Sequence, residues 1–579
     1  MKQFFASLLL LTPWLMAAQT NHAHDSLWVL MDEWRQYSRR NTGPGEDSDS
    51  VVLPGISVAK EQAKAVYATK LLQRLSSIPD DKLNTDDQIN KDLMQYILED
   101  LVSQVAFETY LVPLSADGGF HINFQYLVNA HPFQQPGDYS DYLAKMQDFP
   151  RYTAQNLDLL RMGLKKGNTV PKGILGGILN TVQPHTEGDV TESFFYRPFK
   201  NFPASFADST KTRLAAEGSK AMEQYIRPAF VSFYKFLQDE YIPGARNSLG
   251  ATQLPDGKAF YEQRIRYFTT LNMTPDEVYA TGEKEVARIR AEMEAIIKKL
   301  NFQGSFADFL QFLRTDPQFY AATPRALLAE ASYWSKKIDG LLPKYFGKLP
   351  RLPYGVQPVP DAIAPNYTGG RYVPGSPEQH RSGTYWVNTY DLKSRPLYVL
   401  PSLTLHEAVP GHHLQGALAQ ELEDVHPMRR SVYLSAYGEG WALYCEWLGK
   451  EAGIYEDLYQ EFGRLTYEMW RACRLVVDVG IHAKGWSRDQ AIAFLAGNTA
   501  LSLHEVTTEI DRYIGWPGQA VSYKIGELTI RRLRAEAEQA LGAQFNIREF
   551  HDLILSRGAV PLSTLEKMVQ QYVQGKVKP

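Results

Sequence analysis

Apolar residues recur at helical spacing along most of this chain, and capping signals mark where several helices begin. Thr274-Pro275-Asp276-Glu277 pairs an N-cap threonine with a glutamate three residues on and a proline in the first turn. Behind it Val278, Val286, Ile289, Met293 and Ile296-Ile297 fall on one recurring face as far as Leu300. Thr323-Pro324 opens a second helix towards Ile338, and Ser487 with Gln490 opens a third. Periodic runs at 58–76, 85–110, 140–166, 210–239, 432–450, 457–480, 498–513 and 520–541 predict further helices. No repeat of fixed period is present. The expected fold is mostly α: a large helical, two-lobed body with a deep cleft and a small β-hairpin or sheet.

One region breaks the helical pattern. Residues 346–400 carry Pro358, Pro360, Pro365, Gly369-Gly370 and Gly375, as a long ordered loop or a linker would. Within it Gly383 to Tyr390 reads as a strand, and a second short strand is expected from Leu397 to Leu400. These lead directly into a histidine-rich segment. An edge strand there could take a peptide as an added strand, or it could simply cover the core. Pro243-Gly244 and Ser248-Leu249-Gly250 suggest a soft boundary. It divides a helical region over 19–250 from a region over 251–579 that holds the chemistry, although one body with a cleft also fits.

Composition narrows the function classes. The 579 residues are 44% hydrophobic and 22% charged, ordinary for a globular chain. A net charge of −4 with no basic block argues against nucleic acid as a partner. Lys2, the apolar run Phe4 to Met16 and the small pair Ala17-Ala18 read as a secretory signal over residues 1–18. The mature chain is then expected in the periplasm or outside the cell. No later stretch is apolar enough to span a bilayer, so stable membrane insertion is not expected. Cys445 and Cys473 fall on neighbouring predicted helices and are either bridged or separately buried. Oligomeric state has no signature in the sequence.

The chemistry concentrates in His406-Glu407-Ala408-Val409-Pro410-Gly411-His412-His413. Three imidazoles and a carboxylate so close together suggest a hydrolytic zinc site. The spacing departs from H-E-x-x-H, in which two histidines one turn apart share a metal. The fifth position here is Pro410, which cannot bind a metal. In an unbroken helix a residue at +6 turns to another face, about 9 Å along the axis, so His406 and His412 could not meet. Pro410 and Gly411 favour a local bulge that absorbs the two extra residues. Glu407 is the expected general base.

His406 through Gln415 resembles the HEaxPGHHlQ pattern of the bacterial DUF885 family. The resemblance extends over most of the chain, through Gly438-Glu439-Gly440-Trp441-Ala442, Asp478 to His482 and Trp516 to Lys524. It implies a gluzincin-like zinc metallopeptidase with one Zn2+ per chain. Thimet-oligopeptidase-like and dipeptidyl-peptidase-III-like enzymes are similar at the metal motif, with a Gly-His ending and fewer inserted residues. That analogy favours His412 as the second ligand after His406, with His413 as the alternative ligand or a neighbour. The third ligand implied is Glu439, and Glu446, two turns later, would orient a histidine ring. Tyr523 is the expected donor to the developing oxyanion, followed by His482 and Arg512. Asn388, Arg512 and Lys524 are candidates for holding substrate.

The expected function is therefore an exported zinc-dependent peptidase acting on short peptides. Carboxypeptidase, dipeptidase and oligopeptidase modes all stay open. An amidase acting on peptidoglycan fragments or other non-peptide amides would use the same water chemistry. A catalytically silent peptide-binding protein of the same fold is the alternative from another class.

Overall fold

The capping signals are realised as hydrogen bonds. In a computed structural model, which describes residues 11–41, 52–115, 118–361, 363–423 and 425–577, Glu277 N–H donates to Thr274 Oγ1 at 3.2 Å. The Thr274 amide donates back to Glu277 at 2.8 Å. The helix they start runs Pro275–Lys299. Ser487 and Gln490 make the same reciprocal pair ahead of Arg488–Asn498. Thr323 caps Pro324–Asp339 through the Ala326 amide. Each cap satisfies amides that the first turn leaves without partners. Residues 1–10 of the expected leader lie outside the described residues, and a helix spans Leu11–Asn41. No described helix is long and apolar enough to cross a membrane.

The chain forms two compact units, 1–87 with 94–258 and 88–93 with 259–579. The first is helical around Pro136–Lys166, whose buried Phe149 stacks on Phe124 at 4.3 Å and meets Phe230 at 5.3 Å. The single helix expected over 210–239 is interrupted by two π-turns, Met222–Ile226 and Leu237–Tyr241. Each ends just before a proline-bearing turn, at Pro228 and Pro243. Proline has no N–H and crowds the carbonyl four residues back, so the ladder shifts register there.

The second unit holds the sheet and every candidate site residue. Its strands are β1 (Tyr354–Pro358), β2 (Gly370–Val373) and β3 (Gly383–Val387), in the order β1-β3-β2. β3 runs parallel to β1 and antiparallel to β2, with Tyr385 opposite Val356 and Tyr372. Two expectations are corrected. The strand expected from Gly383 is central, so the free edge beside the histidines belongs to β2. Leu397–Val399 is a 3-10 turn, and Leu400 begins the helix Leu400–Glu407. Pro396 and Pro401 flank that stretch, and proline in the first turn starts a helix instead of pairing a strand.

Helix packing fixes the framework around the site. Pro275–Lys299 lies along Leu458–Ala483, and Ser435–Glu451 lies along Ser522–Leu541. Leu400–Glu407 packs on both Ser435–Glu451 and Leu458–Ala483. Every residue from Phe462 to His482 is buried. Arg464, Glu468, Arg471, Arg474, Asp478 and His482 nonetheless follow one another at helical spacing along it, so this stripe requires partners from neighbouring helices. Cys445 and Cys473 are separate buried thiols, not a bridge.

Candidate metal centre

The histidine segment is broken, not bulged. Leu400–Glu407 ends at Ala408, whose φ of −94° and ψ of −109° leave the helical region. The Val409–Pro410 peptide is cis, and a new helix runs His412–Gln420. The chain doubles back so closely that a β-carbon on Gly411 would run into the carbonyl oxygens of Leu405 and His406. Trp441 Nε1 donates to the Pro410 carbonyl at 2.8 Å, and the His413 amide donates to the Ala408 carbonyl at 3.1 Å. The expected bulge inside one helix is thus a tight turn between two helices. The turn, not residual helical geometry, brings His412 back to His406.

Three side chains converge there. His406 Nε2 lies 3.4 Å and His412 Nε2 3.3 Å from the same oxygen, Glu439 Oε2. One ligand atom from each residue lies within 4.8 Å of the others. Glu446 Oε1 sits 2.8 Å from His406 Nδ1, which donates to it, and this fixes the ring with Nε2 facing Glu439. Tyr433 O–H donates to Glu439 Oε1 at 2.8 Å, leaving Oε2 for the histidines. Two imidazole nitrogens and one carboxylate oxygen, with His406 and Glu439 each oriented from behind, are a donor set that fits zinc.

Electrostatics couple the three groups. Burial lowers the His406 pKa, but hydrogen bonds donated to Glu439 and Glu446 outweigh it and hold the ring up at about 9. Burial raises Glu439, yet the two histidines hold it well below the usual carboxylate range. Glu407 adjoins the cluster in sequence, and its Oε2 accepts the Tyr372 amide of β2 at 2.7 Å. Tyr523 lies under the Arg474 guanidinium at 4.3 Å. Burial, and after it the nearby Glu439, keep its hydroxyl protonated and able to donate.

The remaining candidates sit elsewhere. His413 packs against Tyr354, with Nδ1 3.1 Å from the Tyr372 hydroxyl, outside the cluster. Burial lowers its pKa to about 4, so the ring is neutral. His482 bonds the Tyr513 carbonyl at 3.0 Å and packs on Tyr261. Asn388 is fully buried, and its amide nitrogen donates to the Ala364, Tyr367 and Thr368 carbonyls while Oδ1 accepts from the Tyr390 amide. Lys524 is fully buried among Glu285, Glu468 and Glu527. Arg512 is held by Glu509 and Gln519. Asn388, Lys524, His482 and Arg512 are therefore tied to the protein's own groups, contrary to expectation, because buried polar atoms need partners.

Sequence reasoning missed Tyr433 and Tyr372. Tyr433 is 58% exposed, yet its hydroxyl reaches Glu439. The signal was in Gly438-Glu439-Gly440. A β-carbon on Gly438 would meet the Tyr433 ring at 2.5 Å, and one on Gly440 would meet the Gly526 backbone at 2.5 Å. Glycine on either side of the ligand admits a tyrosine on one face and a neighbouring helix on the other. Tyr372 had no such local mark, because a backbone amide is common to every residue.

Over residues 40–569 the chain matches the profile of DUF885, a bacterial protein family of unknown function. The chain belongs to that family. A crystal structure described as "the putative lipoprotein from Colwellia psychrerythraea" matches with a TM-score of 0.86 at 26% identity, covering 97% of this chain and 100% of that one. A Shewanella oneidensis structure, described as "a putative lipoprotein of unknown function", matches with a TM-score of 0.66 at 19% identity, covering 96% and 99%. That second likeness bears on the fold alone. No curated protein matches the chain.

Proposed function

We propose that this chain is an exported zinc-dependent peptidase that hydrolyses short peptides. The observation that carries the reading is the meeting of His406, His412 and Glu439 within 4.8 Å, with Glu407 next in the chain to His406. Under this reading the region over 251–579 is the catalytic one. It keeps the two-lobed, cleft-bearing, metallopeptidase-like body, because a peptide has to reach donors that are largely enclosed. Export is supported by the leader-like residues 1–18 and by the description of the Colwellia protein as a "putative lipoprotein".

When bound, zinc would supply a Lewis acid that acidifies water and polarises a carbonyl. Glu407 then takes a proton from the attacking water and delivers it to the leaving amine. The Tyr372 amide fixes one oxygen of Glu407 and leaves the other for that transfer. Tyr523, with its hydroxyl kept protonated, donates to the oxygen that gains charge. Glu446 holds His406 and Tyr433 holds Glu439 in the geometry the ligands need.

Purified protein is expected to carry about one zinc per chain. Glu407→Gln should keep that zinc and lose roughly 10²–10⁴-fold in peptide hydrolysis. Unchanged cleavage of a peptide library by the variant, followed by mass spectrometry, would remove Glu407 from the mechanism. Ligand-dependent thermal stabilisation without turnover in the unmodified protein would mark a peptide-binding protein instead.

A further inference from the structure

A second site lies in the same unit, lined by other residues. A cavity of about 340 Å3 is walled by Leu327, Val387, Leu400, Leu403 and Leu501. That volume is within the range of small-molecule sites. Arg314, Lys393 and Arg395 also line it, against a single acidic residue, Glu505. Burial pushes Glu505 up to about 7, so even that negative charge is only partly present at neutral pH.

Arg314 is the informative member. Its Nε donates to the Leu501 carbonyl at 3.0 Å, and its Nη2 donates to the carbonyls of Ala496 and Thr499 at 3.0 and 2.6 Å. Three backbone acceptors hold the fork still, yet it meets no carboxylate, and Nη1 has no acceptor among the described residues. Among the described residues Arg395 donates only to the Ser394 carbonyl, from Nη1 at 3.3 Å, and its charge acts on Glu505 without a hydrogen bond between them. The buried hydroxyls of Tyr398 and Thr466, also in the lining, lack partners as well. The lining therefore carries donors and positive charge in excess, beside an apolar wall. A partly buried guanidinium without a carboxylate is costly unless something else brings the negative charge.

We propose that this cavity binds a monocarboxylate with a compact apolar body, its oxygens taken by Arg314 and Arg395 and its hydrocarbon laid on the leucine wall. A neutral apolar ligand would leave the guanidinium groups unmatched. A cation would face three like charges. An inorganic anion would leave the leucine wall against water. Two sources share the favoured chemistry: a free small acid, and the C-terminal residue of a peptide.

The test uses the full chain stripped of metal, so that no carboxylate can bind at His406, His412 and Glu439. Calorimetric titration with N-acetyl-leucine and with 4-phenylbutyrate should show saturable binding, and N-acetyl-leucinamide and inorganic phosphate should not bind. Arg395→Gln, whose side chain makes few internal bonds, should weaken N-acetyl-leucine binding by about tenfold or more with unchanged thermal unfolding. A tripeptide ending in leucine that displaces N-acetyl-leucine identifies the peptide terminus as the source. A tripeptide that fails to displace it identifies a free acid. The proposal is overturned if neither acid binds at millimolar concentration, if the amide binds as tightly as the acid, or if Arg395→Gln binds as the unmodified protein does.

Discussion

Two charged clusters lie in the second unit, and they are built on opposite rules. Around Lys524 the charges match. Its ammonium meets Glu285, Glu468 and Glu527 at 3.2, 2.8 and 2.8 Å, and Arg288, Arg464 and Arg531 meet those same carboxylates from other sides. Around Glu439 they do not match. Glu407, Glu439 and Glu446 crowd two imidazoles, and among the described residues the guanidinium paired with them is Arg471, 3.5 Å from Glu446. The first cluster is closed and ties helices together. The second gathers three carboxylates around two imidazoles, with both histidine Nε2 atoms near one Glu439 oxygen. Charge balance, more than burial or residue type, distinguishes the two clusters.

That contrast can be broken by substitution. His412→Ala should take zinc content from about one per chain to none, while the metal-free protein unfolds as before; retained zinc would mean that the cluster is not the site. Lys524→Met should do the reverse. It strands buried carboxylates, with a loss of about 3–5 kcal/mol of stability in urea unfolding, and leaves zinc in any protein that still folds.

Asp478 sharpens the comparison from an intermediate position. It accepts from the Tyr261 hydroxyl at 2.6 Å and the Gly518 amide at 3.1 Å, and among the described residues no cation forms an ion pair with it. Burial raises its pKa from 3.8 to about 7. The folded state then holds this proton more tightly than the unfolded chain does. Its contribution is fully present below pH 3.8 and is lost as the pH rises to about 7. At about 1.4 kcal/mol per pH unit, unmodified protein should lose stability across that window relative to Asp478→Asn. A pH-independent gap between the two unfolding curves would reject this. The smallest effect belongs to Tyr433→Phe, which removes the hydroxyl behind Glu439. It should weaken zinc affinity by about 10–100-fold, measured by chelator competition, without changing stoichiometry.

Much of the site's inventory was readable before the fold. His406, His412 and Glu439 were named from motif and resemblance, and they stand together. Glu446 was named for orienting a ring, and it bonds one. Lys524 and Asn388 were misjudged for one reason. A lysine or asparagine beside a motif has the same appearance in sequence whether its partners are substrate atoms or buried carboxylates from distant helices. Leu397 to Leu400 was misjudged because an apolar run that short is ambiguous between strand and helix, and the flanking Pro396 and Pro401 decide for the helix.

Helix starts, the mostly α class and the residue types of the metal cluster follow from sequence because capping and periodicity are local interactions, complete within one or two turns. The turn through Pro410 and Gly411, the packing of His413 against Tyr354 away from the cluster, and the recruitment of Tyr433 and the Tyr372 amide were decided only by tertiary structure. Each depends on a contact between separate elements. The energy of such a contact is set by what else is buried beside it, which no local pattern records.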